Sequence, residues 1–220
     1  MLGFLSVGCR WLRLCCVALP LMGLPLVSSH ALDFSDIARE GELRFLATNP
    51  DPNAYRYESR VALTAASLET GLVELATCHR QLDPIRKVVI AFNPQRLKTL
   101  TIGEHAGIGG VQVDGHLVTL TDVRRGASIC IALSSKALDA VDGGGWRLQA
   151  GPLMRRYLDG YLPMTATLSV SWPVGLVAVS AVEPRAQPGV DIQMRQDGAE
   201  LKTVFAGRFT GHFELTKPQQ

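Results

Sequence analysis

Val111-Gln112-Val113-Asp114-Gly115-His116-Leu117-Val118 is the stretch on which the reading of the fold turns. Two short runs rich in β-branched and aliphatic residues flank Asp114-Gly115, a dipeptide that tolerates the positive φ a two-residue hairpin loop demands. The same device recurs at Gln193-Met194-Arg195-Gln196-Asp197-Gly198-Ala199-Glu200-Leu201. Working outward from these two hairpins, the chain from residue 54 onward breaks into short runs of Val, Ile, Leu and Thr separated by turn residues. The runs fall at 59–63, 72–78, 87–92, 97–102, 110–113, 116–120, 127–133, 146–148, 165–172, 176–182, 190–195, 201–209 and 212–215. Many alternate apolar and polar side chains at period two, which places one face of each strand in a core. The expected class is all-β: an antiparallel β-sandwich or an open barrel of short strands.

One segment departs from the alternation. Gly151-Pro152-Leu153-Met154-Arg155-Arg156-Tyr157-Leu158-Asp159-Gly160 reads as a short helical crossover near 152–159, with Pro152 in the first turn and Gly160 as the left-handed stop. In such a helix Leu153 and Tyr157 pack inward, and Arg155 meets Asp159 at i,i+4.

The N-terminal 31 residues read as a secretory signal peptide. Arg10 and Arg13 precede an apolar run from Leu14 to Val27, broken by Pro20, Gly23 and Pro25, and Ser29-His30-Ala31 supplies the small residues of a cleavage site. The run is shorter than the roughly 20 residues a membrane-spanning helix needs, so the mature chain is expected to hold no transmembrane segment. Residues 32–53 form a lead-in ending in the Asn49-Pro50-Asp51-Pro52-Asn53 turn, and 54–216 form the β-sandwich domain, with a possible sub-boundary near 143–151 at Gly143-Gly144-Gly145. Residues 217–220 are expected to be a disordered tail. Pro184, Pro188 and Gly189 suggest a stiff crossing between sheets.

Loss of the leader removes Arg10 and Arg13, so Lys+Arg falls from 22 to 20 against 20 Asp+Glu. A chain of balanced charge with no basic run gives no expectation of nucleic-acid binding. Cys9, Cys15 and Cys16 leave with the leader, and Cys78 and Cys130 remain as an even pair in an oxidising compartment. Their disulfide is expected to lie off the main core, because Cys130 alternates with Ile129 and Ile131, and Cys78 shares a face with Glu74. That placement differs from the core-crossing bridge of immunoglobulin domains.

Catalytic signatures are missing. The chain has no Gly-x-Ser-x-Gly elbow, no His-Glu-x-x-His pair and no Ser-x-x-Lys. The mature histidines His79, His105, His116 and His212 are scattered without short ligand spacing, so neither a metal nor a cofactor is expected. The glycine-rich run 103–110 lacks the Lys-Ser/Thr of a phosphate loop and is expected to be a mobile loop. The polar set with most chemical potential is Arg155, Arg156, Asp159 and Tyr161, joined by His79. Two guanidinium groups can bind a carboxylate or sulfate, and a tyrosine can stack on a sugar ring. The plainer alternative is an internal Arg155–Asp159 pair with Tyr161 filling a gap. His79 and Asp83 in Cys78-His79-Arg80-Gln81-Leu82-Asp83-Pro84 could couple as base and orienter, or Asp83 could cap its turn. The resulting expectation is a non-enzymatic exported protein, periplasmic or secreted, that binds a protein, glycan or envelope component. The competing expectation is an exported hydrolase or lyase built around His79 and Asp83 or around 155–161.

Overall fold

The computed structural model describes residues 42–51, 53–157 and 160–218. The expected signal peptide, most of the lead-in, Pro52, Leu158, Asp159 and the last two residues of the expected tail lie outside the described residues. The strands, in chain order, are β1 (Arg44–Phe45), β2 (Arg56–Ala62), β3 (Leu72–Leu82), β4 (Ile85–Ala91), β5 (Leu97–Ala106), β6 (Gly110–Asp114), β7 (Leu117–Val123), β8 (Ala127–Lys136) and β9 (Leu138–Val141). They continue as β10 (Gly145–Leu153), β11 (Arg156–Tyr157), β12 (Gly160–Tyr161), β13 (Met164–Ser171), β14 (Ala178–Glu183), β15 (Val190–Arg195), β16 (Gly198–Ala206) and β17 (Phe209–Thr216). The expected all-β, sandwich-like class is what the chain adopts.

Both hairpins form at the Asp-Gly sites, but each two-residue turn is offset by one residue from the dipeptide, so that Asp114 and Gly198 end strands and are not turn residues. Asp114 pairs with Leu117 around Gly115-His116, with Gly115 at φ 56°, and Arg195 pairs with Gly198 around Gln196-Asp197. Gly143 and Gly144 form the turn between β9 and β10, two paired strands of one sheet. The proline-rich connector 184–189 carries the chain from β14 in one sheet to β15 in another. In the glycine-rich run, residues 103–106 extend β5 and Gly110 opens β6, so only Gly107, Ile108 and Gly109 remain outside strands.

The helix expected near 152–159 does not form. Gly151, Pro152 and Leu153 continue β10, and Arg156–Tyr157 pairs with Gly160–Tyr161 as a small hairpin. The reason is geometric. Residues two apart project to the same side of an extended chain but to nearly opposite sides of a helix, and Arg155 and Tyr157 both reach Asp83. Among the described residues the one α-helix is α1 (Ala65–Thr70), too short to show a 3.6-residue period. Thr64 and Ser67 form its capping box, and Gly71 closes it in the left-handed region at φ 73°.

The largest sheet has eight strands in the order β1-β16-β13-β2-β3-β8-β5, with β15 following β1 along the same side of β16. Its β13–β2 pair is parallel, within a sheet whose other pairs among the described residues are antiparallel. Register defines its faces. One row runs Leu201–Leu168–Ser59–Thr77–Ile131–Ile102 across six strands, apolar at both ends and hydroxyl-bearing in the middle. Both apolar ends are covered on this same face. The four-stranded sheet β14-β17-β10-β9 packs over the β16–β13 end, and the three-stranded sheet β4-β7-β6 packs over the β8–β5 end. The opposite face of the large sheet carries Lys202, Thr167, Glu58, Cys78 and Cys130 in a row.

Cys78 and Cys130 face each other across β3 and β8 and are disulfide-bonded, with Cα atoms 4.0 Å apart. The bridge lies on the face away from both cores, as strand parity requires. Ile129, Ile131 and Leu133, which alternate with Cys130, are buried in the second core.

Candidate functional site

Between the two cores the inner face of the large sheet is polar. Ser59, Thr77 and His79 are buried there, on the central strands β2 and β3. Burying hydroxyl and imidazole groups requires hydrogen bonds to offset desolvation. His79 is 5% exposed. Its Nδ1 shares a 2.6 Å hydrogen bond with the Tyr55 hydroxyl, and the Tyr57 ring meets its own edge-on at 5.3 Å between centroids. Its Nε2 has no hydrogen-bond partner among the described residues. Burial disfavours the imidazolium ion, and the His79 pKa is lowered to about 4. The ring is therefore neutral near pH 7.

Burial also raises the Tyr55 pKa well above the usual tyrosine value, with Tyr57 adding to the effect and the Arg155 charge opposing it. Tyr57 is pushed up to about 12 by burial, a hydrogen bond with Ser59 acting in the other direction. Both hydroxyls stay protonated over the physiological range.

Beside this pair, β3 bulges between His79 and Leu82, where Gln81 takes φ 56°, and the chain turns toward the three-stranded sheet. Asp83 stands at that corner. Arg155, on the segment leaving the four-stranded sheet, grips it from the other side. Its Nη2 donates to Asp83 Oδ1 at 2.7 Å and Oδ2 at 2.8 Å, its Nε donates to Oδ2 at 3.1 Å, and its Nη1 donates to the Pro163 carbonyl at 2.7 Å. Tyr157 donates its hydroxyl to the same carboxylate. Burial, followed by the bond to Asp83, pushes the Tyr157 pKa up to about 12. The Arg155 side chain is 9% exposed and that of Asp83 31%. The group is thus a clasp across the seam, joining the chain that enters one small sheet to the chain that leaves the other.

The residues singled out from sequence are distributed as follows. His79 and Arg155 both belong to the seam, linked through the Tyr55 and Asp83 neighbourhood. His79 and Asp83 do not couple as base and orienter, because Tyr55 holds the imidazole and Arg155 holds the carboxylate. Arg155 pairs with Asp83; Asp159, its expected partner, lies outside the described residues. Arg156 is exposed, with its guanidinium 5.8 Å from the centroid of the Tyr161 ring. Tyr161 is 2% exposed and packs with Met154 and Ala206, so it fills a gap and offers no open face to a sugar.

Tyr55 and Tyr57 were not read from the sequence as part of this group. Their signal was the continuation of the alternation Ser59, Val61 two and four residues backward past the expected strand start. Among the described residues no three His, Cys, Asp or Glu side chains are grouped to hold a metal ion, and no helix is long and apolar enough to cross a membrane. Two shallow recesses lie away from the seam. One, of about 360 Å³, lies between β5 and the β6–β7 turn, and one, of about 210 Å³, lies on the outer face near Glu58, Thr167 and Glu200.

No family model matches this chain, and no curated protein matches it. Among solved structures it is similar to a two-domain M1 zinc metallopeptidase, a mutant bound to the amino acid L-tryptophan, at a TM-score of 0.36 and 12% identity. That match covers 82% of this chain and 44% of the other.

Proposed function

We propose that this chain is an exported, non-enzymatic β-sheet protein that binds a protein, glycan or envelope component. The observation that carries this reading is that Asp83, Arg155 and Tyr157 satisfy one another at the seam while His79 lies buried behind Tyr55. A general base needs a free lone pair near its operating pH, and a nucleophile or anion-binding arginine needs an open coordination side. The Asp83 carboxylate is taken up by Arg155 and Tyr157, and the fourth Arg155 hydrogen bond goes to a backbone carbonyl. The His79 imidazole is engaged with Tyr55 and enclosed. Groups arranged in this way hold two layers in register. Export accords with the leader-like first 31 residues and with the Cys78–Cys130 disulfide.

The test is retention without conversion. The purified protein with its disulfide intact is incubated with polysaccharide, peptidoglycan and polypeptide fractions of a cell envelope, and bound material is analysed by mass spectrometry. The expected result is saturable retention of one fraction whose mass is unchanged. Hydrolysis or elimination in any fraction, abolished by His79→Ala or Asp83→Asn in protein that still folds, overturns the proposal in favour of an exported hydrolase or lyase.

A further inference from the structure

The second core is open along one side. β5 is the last strand of the eight-stranded sheet, and β6 is the last strand of the three-stranded sheet. Leu97, Leu100 and Val113 line the recess between β5 and the β6–β7 turn. Val113 has the same strand parity as Val111, which packs against the second core, yet Val113 is 45% exposed. An edge strand presents a row of backbone N–H and C=O groups, and here apolar side chains lie uncovered beside it. This is the condition under which a further strand adds.

The sequence of β5 restricts which strand that is. Its regular stretch, Thr99–Leu100–Thr101–Ile102, is flanked by a register shift on each side. Lys98 lies in the first shift and Glu104 in the second. Both are exposed, and neither has an ion-pair partner among the described residues. A lysine on an edge discourages pairing with a neutral strand, because pairing desolvates the charge without compensation. A strand that brings a carboxylate opposite the lysine removes that penalty.

We infer that the β5 edge is a self-association surface, at which two copies of this chain pair antiparallel about Thr101. Residues equidistant from Thr101 then oppose one another. Lys98 faces the second copy's Glu104 at both ends of the contact, and Leu100 faces the second copy's Ile102. A two-fold axis closes the pair and leaves neither β5 edge free. Leu100 is already paired with Leu133 of the second core, so the apolar layer becomes continuous from one copy to the other. Charge also selects the register. A one-residue slip sets Lys98 against His105, and a parallel arrangement sets Lys98 beside Lys98, so both alternatives lose the two ion pairs. This inference does not depend on the proposed binding role.

Sedimentation velocity of the purified, oxidised protein tests it. The expected result is a reversible dimer that dissociates within the micromolar range. Lys98→Glu and Glu104→Lys, each placing like charges opposite one another twice, are expected to weaken the dimer by about tenfold or more. The double variant Lys98→Glu with Glu104→Lys restores opposite charges and is expected to return to near the original dissociation constant. Both positions are exposed, so unchanged circular dichroism is the folding control. A protein monomeric up to about 100 µM overturns the inference, since self-association weaker than that has no structural specificity to explain. A dimer unaffected by both single variants, or one that the double variant fails to restore, also overturns it, as does an edge filled only by a different polypeptide.

Discussion

The core beneath the four-stranded sheet and the core beneath the three-stranded sheet share one continuous sheet as their floor, yet they are built differently. The first is large and aromatic. Phe205, Phe209, Phe213 and Trp172 are buried in it, with the Phe205 and Phe209 rings 4.8 Å apart and Phe45 meeting Phe209 edge-on. The second buries only aliphatic residues, among them Val118, Leu120, Ile129 and Ile131, and is open at the β5–β6 side. Aromatic rings contribute large buried areas, so the first core supplies most of the hydrophobic stabilisation. The second gains support from elsewhere. The disulfide crosses β3 and β8, two strands of its floor, and the Arg155–Asp83 clasp fastens its entry corner to the chain of the first. A small core that cannot close itself is held by a covalent bridge on its back and an ion pair at its border.

The contrast can be broken most directly by equal deletions on the two sides. Leu201→Ala in the first core is expected to cost about 4–5 kcal/mol, and Leu133→Ala, near the open border of the second, about 2–3 kcal/mol. Denaturant unfolding measures both, and equal losses would show that the cores are alike in their capacity to relax.

Removing the bridge comes next. For the sequence separation of 52 residues, the chain-entropy account assigns the disulfide about 4 kcal/mol. Cys78→Ala with Cys130→Ala is expected to approach that loss. Hydrogen exchange should rise first in β4, β6 and β7, and a rise that begins in β14 and β17 would contradict the division of labour described above.

The seam between the cores responds to acid. Because the His79 pKa is about 4 in the folded protein and about 6.5 unfolded, the unfolded state binds more protons between those values, and stability falls as pH falls. The contribution is present above pH 6.5, is reduced by about 2 kcal/mol at pH 5 and by about 3 kcal/mol at pH 4, and levels off about one pH unit below the folded pKa. Unfolding free energies for wild type and His79→Gln across pH 5–7 isolate the effect. Identical slopes would remove His79 from the account.

The smallest expected change is at the clasp. Arg155→Lys keeps the charge but cannot bond both Asp83 oxygens and the Pro163 carbonyl in one plane. A loss of about 1–2 kcal/mol is expected, and thermal unfolding at pH 7 detects it. No loss would mean that a point charge suffices to join the two small sheets.

The seam was only partly legible beforehand. His79 and Arg155 stood out because of their chemistry, yet their partners Tyr55 and Asp83 are 24 and 72 residues away respectively, and no local pattern links residues so separated. The helix expected near 152–159 fails for the same reason. Its proline, arginines and glycine satisfy the local rules of a short helix, but two side chains at i,i+2 are drawn to one carboxylate. By contrast, Gly115 and the alternation around Cys130 carry their information within a few residues, and the hairpin and the face of the disulfide follow from it.

By itself, the order of residues determined that this chain forms strands, where its two tight hairpins turn to within one residue, and which side of β8 carries the cysteine. These features depend on φ preferences and on the two-residue repeat of a pleated strand, both of which act between near neighbours. Only the tertiary structure decided that β13 runs parallel to β2, that two smaller sheets share one face of the large one, and that Asp83 belongs to Arg155. Those outcomes depend on which distant surfaces bury one another, and burial is a property of the assembled layers.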